Sequence, residues 1–165
     1  MLLVADSGST KADWMLVGED NETIAEFTTR GINPFFHREE FILNELNSND
    51  AMRKYAPLIE NVCFYGAGVS SPEMVKIVED SFHKFFTKAE LNIGHDLNAA
   101  AYATANDGEP CIACIVGTGS NSCYYDGENV HDEIPALGYI LGDEGSGSYY
   151  GKELLRLFLY GQLPP

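Results

Sequence analysis

Two apolar segments of this chain each break into a short turn of glycine, serine and threonine and then resume. The first reads LLVADSGSTKADWMLV (2–17), and the second reads CIACIVGTGSNSCYY (111–125). In both, a Gly-Ser pair directly follows an apolar strand, at 8–9 and at 119–120. A further turn and strand follow in each case. We therefore predict two related domains, each opening with a glycine-bearing β-hairpin, over the alternative of two hairpins that are alike by chance.

Apolar periodicity and turn residues predict the elements that follow the first hairpin. We expect strands at 2–6, 11–17, 22–28, 60–68 and 88–96, and helices at 37–47, at 70–86 and in the alanine-rich segment from 97 onward. Ser71 can cap the second helix, and Pro72 suits its first position. The order predicts a mixed α/β domain over residues 1–108, which ends near the turn NDGEP (106–110).

Residues 109–165 contain less predicted structure. The segment up to residue 134 predicts three strands, the first of them the buried strand CIACIVG (111–117), and one helix follows within 138–161. A three-stranded sheet with one helix is marginal as an independent domain. We expect either that it packs on the first domain or that the sequence is part of a longer protein.

Charge and cysteine content limit the classes of function. The formal net charge is −15, from 25 acidic and 10 basic residues, and a broad nucleic-acid surface needs clustered Lys and Arg. Residues 1–6 are too few for a signal peptide or a membrane span, so we expect a cytoplasmic protein without membrane contact. Cys111 and Cys114 have metal-like spacing, but residues three apart on a strand point to opposite faces, so packing is the favoured role.

The composition of the first turn suits phosphate. Glycine lets backbone N–H groups approach a ligand closely, and the hydroxyls of Ser7, Ser9 and Thr10 add donors. The segment does not match a P-loop, because a strand rather than a helix follows Lys11. Asp6 ends the strand, where a carboxylate could hold Mg²⁺. A plain hairpin turn capped by Asp6 is the alternative; the second copy of the turn favours a phosphate clamp.

Four segments, in this order, resemble one family. ADSGSTKADW, GHDLNAAAYA, VGTGSNS and LGDEGSGSYYG are similar to segments of the N-acetylglucosamine kinases and the wider BadF/BadG-type ATPases, within the actin, sugar kinase and Hsp70 superfamily. The resemblance implies an α/β fold of ribonuclease H-like (actin-like ATPase) domains, the first with a mixed five-stranded sheet. It also implies an ATP-dependent kinase that uses Mg²⁺ and phosphorylates N-acetylglucosamine or a related amino sugar at the 6-hydroxyl.

The same resemblance implies roles for individual residues. The ATP phosphate-binding residues would be Gly8, Ser9, Thr10 and Lys11 in the first loop, and Gly117, Thr118, Gly119 and Ser120 in the second. Asp6 would lie near Mg²⁺, and Asp96 would be the general base. The sugar-binding residues would be Asn33, Asp96, Gly138 and Asp143.

Plain structural roles remain open for several of these residues. Asp96 can cap the following helix, Asn33 can form a turn before Pro34, and Asp143 can be an acid at a helix N-terminus. His95, beside Asp96, is predicted to be structural rather than catalytic.

Two departures from the family pattern affect the expectations. Leu137 stands where the best-known N-acetylglucosamine kinases have tryptophan, so the acyl pocket is expected to differ. The adenosine-binding segment of the family would lie beyond residue 165, so we expect the natural product to be longer. Homodimerisation is common among such kinases, but no surface in the sequence specifies it.

Two other functions compete with the kinase. An ATPase that couples hydrolysis to an acyl-CoA dehydratase or reductase would carry an iron–sulfur cluster, whereas the cysteines here lie in strands and Asn33 and Asp143 match sugar-binding positions. A non-catalytic sugar sensor would need neither Asp6 nor Asp96.

Overall fold

A computed structural model describes residues 1–106, 108–132 and 135–164. Asp107, within the predicted turn 106–110, and the end of the segment up to 134 lie outside the described residues. The chain folds into two compact units, Met1–Ala99 and Ala100–Pro165, whereas the sequence places the domain boundary after residue 108. The dividing point lies within a helix rather than in the turn that follows it.

The first unit is built on a mixed five-stranded sheet, as predicted, with strand order β3-β2-β1-β4-β5. Strands β1, β2 and β3 form an antiparallel meander, while β4 pairs parallel to β1 and β5 parallel to β4. The strands are β1 (Leu2–Ser7), β2 (Lys11–Val17), β3 (Thr23–Arg30), β4 (Asn61–Gly66) and β5 (Glu90–His95). Their ends lie within two residues of the predicted ones.

The helices that accompany this sheet follow the predicted order with one addition. They are α1 (Glu39–Ser48), α2 (Asp50–Tyr55), α3 (Pro72–Phe85) and α4 (Asp96–Thr104), with a 3₁₀ turn at Ala56–Leu58. Helix α3 begins as expected, because the Ser71 hydroxyl accepts the N–H of Met74 at 3.4 Å. Helix α2 was not predicted from the sequence, although Asn49 caps it by accepting the Met52 N–H at 3.0 Å.

The core of this unit lies on one face of the sheet. Along β1 and β2 every second side chain is buried, which is the alternation of a half-covered strand. Trp14 is central: its ring lies 5.9 Å from that of Phe64 and 6.2 Å from that of Phe82, and its Nε1–H donates to the Thr29 hydroxyl. Trp14 lies on β2, which pairs with β1, so this packing helps to fix the position of the turn between the two strands.

The second unit contains a three-stranded antiparallel sheet and two helices. The elements are β6 (Cys111–Val116), β7 (Ser120–Tyr125), β8 (Val130–His131), α5 (Gly138–Leu141) and α6 (Gly147–Leu159). The predicted single helix is therefore wrong, since the chain breaks at Gly142–Ser146, where Asp143 has a φ of 60°. The prediction that β6 is buried is also wrong: Ile112 is 74% exposed and Val116 is 67% exposed, because only alternate residues such as Ala113 face packed side chains.

Within the described ranges, no helix combines the length and apolar character that crossing a bilayer requires.

Candidate active-site residues

The first glycine-bearing turn, Gly8–Thr10, connects β1 and β2 and is exposed. Two backbone hydrogen bonds anchor it: the Gly31 N–H donates to the Thr10 carbonyl at 2.9 Å, and the Ala67 N–H donates to the Ser7 carbonyl at 2.7 Å. A rigid turn of this kind can present preorganised N–H groups to phosphate oxygens at little entropic cost.

The hydroxyl of Ser7 serves the fold. It is fully buried, accepts the N–H of Ile32 at 2.8 Å and lies 3.3 Å from the Ile32 carbonyl. The prediction that this hydroxyl adds a donor to the phosphate turn is therefore wrong. It cross-links the end of β1 to the segment that follows β3.

Asn33 lies directly against the first turn. The residue is 6% exposed, its Nδ2 donates to the Ser9 hydroxyl at 3.0 Å, and its Oδ1 accepts the N–H of Phe35 at 3.0 Å. Because a backbone N–H can only donate, the Phe35 contact fixes which end of the amide is oxygen. Gly68 has a φ of +80°, and a Cβ atom at this position would lie 2.5 Å from Asn33 Oδ1. The absence of a side chain at Gly68 therefore leaves room for Asn33. The structure thus brings together a predicted sugar-binding residue and a predicted phosphate-binding residue.

The carboxyl ends of the three parallel strands meet at this edge of the sheet. Ser7 of β1 pairs in register with Gly66 of β4, which pairs with His95 of β5. Asp6 and Asp96 therefore lie at the same edge as the first turn. In α/β sheets, ligands bind outside this edge.

The two carboxylates influence each other. Partial burial raises the pKa of Asp6 above 3.8, and the negative charges of Asp96 and Asp13 raise it further. Such excess negative charge suits a divalent cation, so the residues present fit Mg²⁺ at Asp6. Throughout the described residues there is no group of three or more His, Cys, Asp or Glu that could hold a metal; Mg²⁺ is usually bound through one or two carboxylates, waters and substrate phosphates.

Asp96 is the first residue of α4. Its Oδ1 accepts the N–H of Leu97 at 3.0 Å and lies 2.9 Å from Nδ1 of His95. The Asp96 and His95 side chains are each 18% exposed, so the carboxylate is held in place and remains accessible. Asp96 thus bonds the first turn of α4 from within the helix rather than from the capping position before it, and this contact does not exclude the role of a base.

Lys11 does not extend freely from the turn. Its Nζ lies 2.7 Å from Asp13 Oδ1, and both side chains are more than half exposed. A pair this exposed contributes little to stability and can be exchanged for a phosphate contact.

The second glycine-bearing turn, at Gly117–Gly119, packs against the start of α6. Its Gly117 and Thr118 carbonyls accept the N–H groups of Gly147 and Ser148 at 2.9 and 3.1 Å. The Ser120 hydroxyl donates to the Glu144 carbonyl at 2.9 Å.

Asp143 also lies beside this turn, since a side chain at Gly119 would come within 3.0 Å of Asp143 Oδ2. The second unit therefore resembles the first in that a predicted sugar-binding residue lies beside a predicted phosphate turn. Gly138 begins α5 with a φ of +66°, and its carbonyl accepts the Gly142 N–H.

Sequence reasoning missed three residues that shape the first turn. They are Gly31 and Gly68, which make room for it and for Asn33, and His37, which bonds the Asn33 backbone. The only signal was the motif RGINP itself, in which a glycine and an asparagine directly precede proline.

Several solved structures, among them sugar kinases, share the fold of this chain. The chain spans about three fifths of the length of two of them. Of these, the putative N-acetylglucosamine kinase of Porphyromonas gingivalis is 39% identical over 99% of this chain and 58% of its own, with a TM-score of 0.90. The putative N-acetylglucosamine kinase of Chromobacterium violaceum is 20% identical, over 99% of this chain and 59% of its own, with a TM-score of 0.73. A ROK family glucokinase from Streptomyces griseus, in complex with glucose and AMPPNP, is 17% identical, over 83% of this chain and 48% of its own, with a TM-score of 0.60.

The fold is therefore that of the sugar kinases with an actin-like ATPase architecture. No protein-family model and no curated protein matches the chain. The alignment with the Porphyromonas gingivalis protein covers nearly every residue of the chain, so the chain is similar to this putative N-acetylglucosamine kinase over its whole length.

Proposed function

We propose that this protein is an ATP-dependent kinase that phosphorylates N-acetylglucosamine or a related amino sugar at the 6-hydroxyl. The observation that carries the proposal is the hydrogen bond between Asn33 and Ser9, which joins a predicted sugar-binding residue to a predicted phosphate-binding turn. A kinase must hold its two substrates in fixed relation, because most of its rate enhancement comes from positioning and charge stabilisation. The similarity to putative N-acetylglucosamine kinases supports the same conclusion.

In the proposed reaction, Asp96 accepts the proton of the sugar hydroxyl. The hydroxyl oxygen attacks the γ-phosphorus of ATP, and the bond between that phosphorus and the bridging oxygen of ADP breaks. The N–H groups of Gly8–Thr10 and the side chain of Lys11 hold phosphate oxygens, and Asn33 orients the sugar. Mg²⁺, when bound near Asp6, supplies charge neutralisation for the phosphates.

The residues of the second unit have analogous proposed roles. The turn Gly117–Ser120 is the second phosphate-binding segment, and Asp143 accepts hydrogen bonds from sugar hydroxyls, with Gly138 lining the same pocket. The position of Asp143 beside the turn supports this assignment, because a carboxylate acceptor then lies next to the proposed phosphate site.

The test is ADP release by the complete reading frame's product with Mg-ATP across N-acetylglucosamine, N-acetylmannosamine, glucosamine, N-acetylmuramic acid and glucose. Release that depends on one amino sugar is the expected result. Release without sugar would instead indicate a coupling ATPase, and sugar binding without release would indicate a sensor.

Asp96→Asn tests the role of the base. Loss of general-base catalysis lowers kcat by roughly 10²–10⁴-fold, while sugar affinity measured by calorimetry is retained. Asp80→Asn is the matched control, because Asp80 lies on α3 in an exposed pair with Lys76. An unchanged kcat for Asp96→Asn would show that another group is the base.

A further inference from the structure

His37 makes two hydrogen bonds to the backbone of Asn33. Its ring Nδ1 accepts the N–H of Asn33 at 3.1 Å, and its own backbone N–H donates to the Asn33 carbonyl at 2.9 Å. Both backbone polar groups of Asn33 are therefore bonded by one residue four positions later. The segment from 33 to 37 is closed into a turn whose shape depends on the imidazole.

These contacts determine the tautomer of the ring. Since Nδ1 accepts a hydrogen bond, it carries no proton, and the neutral ring has its proton on Nε2. The ring also stacks on Phe41, with centroids 3.8 Å apart and planes at 10°. The stack fixes the plane of the imidazole and so directs Nδ1 toward Asn33.

Two charged side chains lie near His37. Arg30 of β3 places its guanidinium 4.7 Å above the ring of Phe41, and its Nε bonds Glu45 of α1 at 3.0 Å. Burial and the charge of Arg30 lower the pKa of His37 below 6.5, and Glu45 opposes them in part. The ring is therefore neutral at pH 7, the state that accepts the Asn33 N–H.

The side chain of Asn33 continues this chain of contacts to the phosphate turn through Ser9. His37 thus holds the backbone of Asn33, and Asn33 holds the Ser9 hydroxyl. Asn33 is 6% exposed, so an unpaired N–H there has little access to water.

We propose that His37 is a positioning residue for the sugar site: its unprotonated Nδ1 holds Asn33 in the orientation that binds sugar beside Ser9. This inference rests on the proposed function, because it takes Asn33 as a sugar ligand. His37 itself contacts no substrate and acts through Asn33.

Sugar affinity consequently depends on pH. Protonation places a hydrogen on Nδ1, which can no longer accept, so the Asn33 N–H loses its partner and faces a cation. Since the pKa of His37 is lowered, the KM for sugar rises only below about pH 6.5, the ordinary value for histidine. The effect on the KM for ATP is smaller, because the turn has its own anchors at Gly31 and Ala67.

Two variants of the complete protein distinguish the role of the Nδ1 acceptor of His37 from the role of its aromatic ring. His37→Phe keeps an aromatic ring against Phe41 and removes the acceptor. We expect the KM for sugar to rise about tenfold at pH 7.5, which is the range for a lost buried hydrogen bond, with kcat within about threefold. His37→Asn supplies an acceptor oxygen near the Nδ1 position that does not titrate, so its KM stays near wild type and no longer rises at acid pH.

His83→Asn is the matched control, because His83 is exposed on α3, and it leaves the kinetics unchanged. A wild-type KM in His37→Phe, or an unaltered pH profile in His37→Asn, would overturn the inference. Equal increases in the KM for sugar and in the KM for ATP, together with a lower melting temperature, would also overturn it, because His37 would then be a general structural residue. Absence of sugar-dependent turnover in the wild-type protein would refute the proposed function instead. Imidazole ¹⁵N shifts then still report whether Nδ1 of His37 is unprotonated.

Discussion

Gly31→Ala should distort the first phosphate turn from outside it. A Cβ at Gly31 would lie 2.1 Å from the Gly8 carbonyl oxygen, 2.7 Å from the carbonyl carbon of Ser9 and 2.8 Å from the Thr10 nitrogen. All three are backbone atoms, so no side chain can rotate away. Real Cβ atoms essentially never come within 3.0 Å of other atoms, and the two segments must therefore separate.

Separating the two segments lowers the free energy of unfolding. Overpacking of this kind destabilises by about 1–3 kcal/mol. Movement of Gly31 also weakens its 2.9 Å hydrogen bond to Thr10, which adds about 0.5–1.5 kcal/mol. For a chain of this size each kcal/mol lowers the melting temperature by roughly 2–4 °C, so we expect a decrease of roughly 3–18 °C.

Gly8→Ala is the matched control within the same turn. Its Cβ would meet only the Lys11 carbonyl oxygen, at the ordinary distance of 3.5 Å. We expect an unchanged melting temperature but a higher KM for ATP, because the methyl group stands where phosphate approaches. Calorimetric melting and ADP-release kinetics on both variants measure the two effects. A wild-type melting temperature for Gly31→Ala would refute the reasoning.

Two further predictions concern polar side chains at the end of β1, next to the same turn. Ser7→Ala leaves the Ile32 N–H without its acceptor and should lower the free energy of unfolding in urea by about 1–3 kcal/mol, whereas the exposed Ser48→Ala should change it by less than about 0.5 kcal/mol. Asp6→Asn should raise the melting temperature at pH 7. The raised pKa of Asp6 means that folding disfavours its ionised form, so this group's contribution to stability is lost as the pH rises from 3.8 through the folded-state pKa. The neutral amide of asparagine avoids that loss. An unchanged or lower melting temperature for Asp6→Asn at pH 7 would contradict the second prediction.

Local patterns predicted the first unit well because its strands alternate and its turns contain glycine. Helix α2 was missed although Asn49 is a strong cap, because six residues show too little periodicity. The break before α6 was missed because a left-handed Asp143 has no reliable sequence signal. For β6, apolar content predicted a strand, but content alone does not tell which face is covered.

The predicted site residues could be located from motifs, but their hydrogen bonds could not. Asn33 and Ser9 lie far apart in sequence, and only the pairing of β2 with β1 and with β3 brings them together. The role of His37 depends on ring orientation, which stacking on Phe41 sets. Such contacts depend on tertiary packing, and the hydrophobic periodicity of a single segment does not report on tertiary packing.

The strand order also has a consequence for the path of folding. The antiparallel pairs β1–β2 and β2–β3 join neighbours in sequence, whereas β1 reaches its parallel partner β4 only after residues 31–60 are placed. Loop closure makes such distant pairing the slower step. We therefore expect the turn between β1 and β2 to form early, and the edge that gathers Asp6 and Asp96 to be completed late, when β4 and β5 dock. Substitutions in the meander should then slow folding, while those in β5 should mainly speed unfolding.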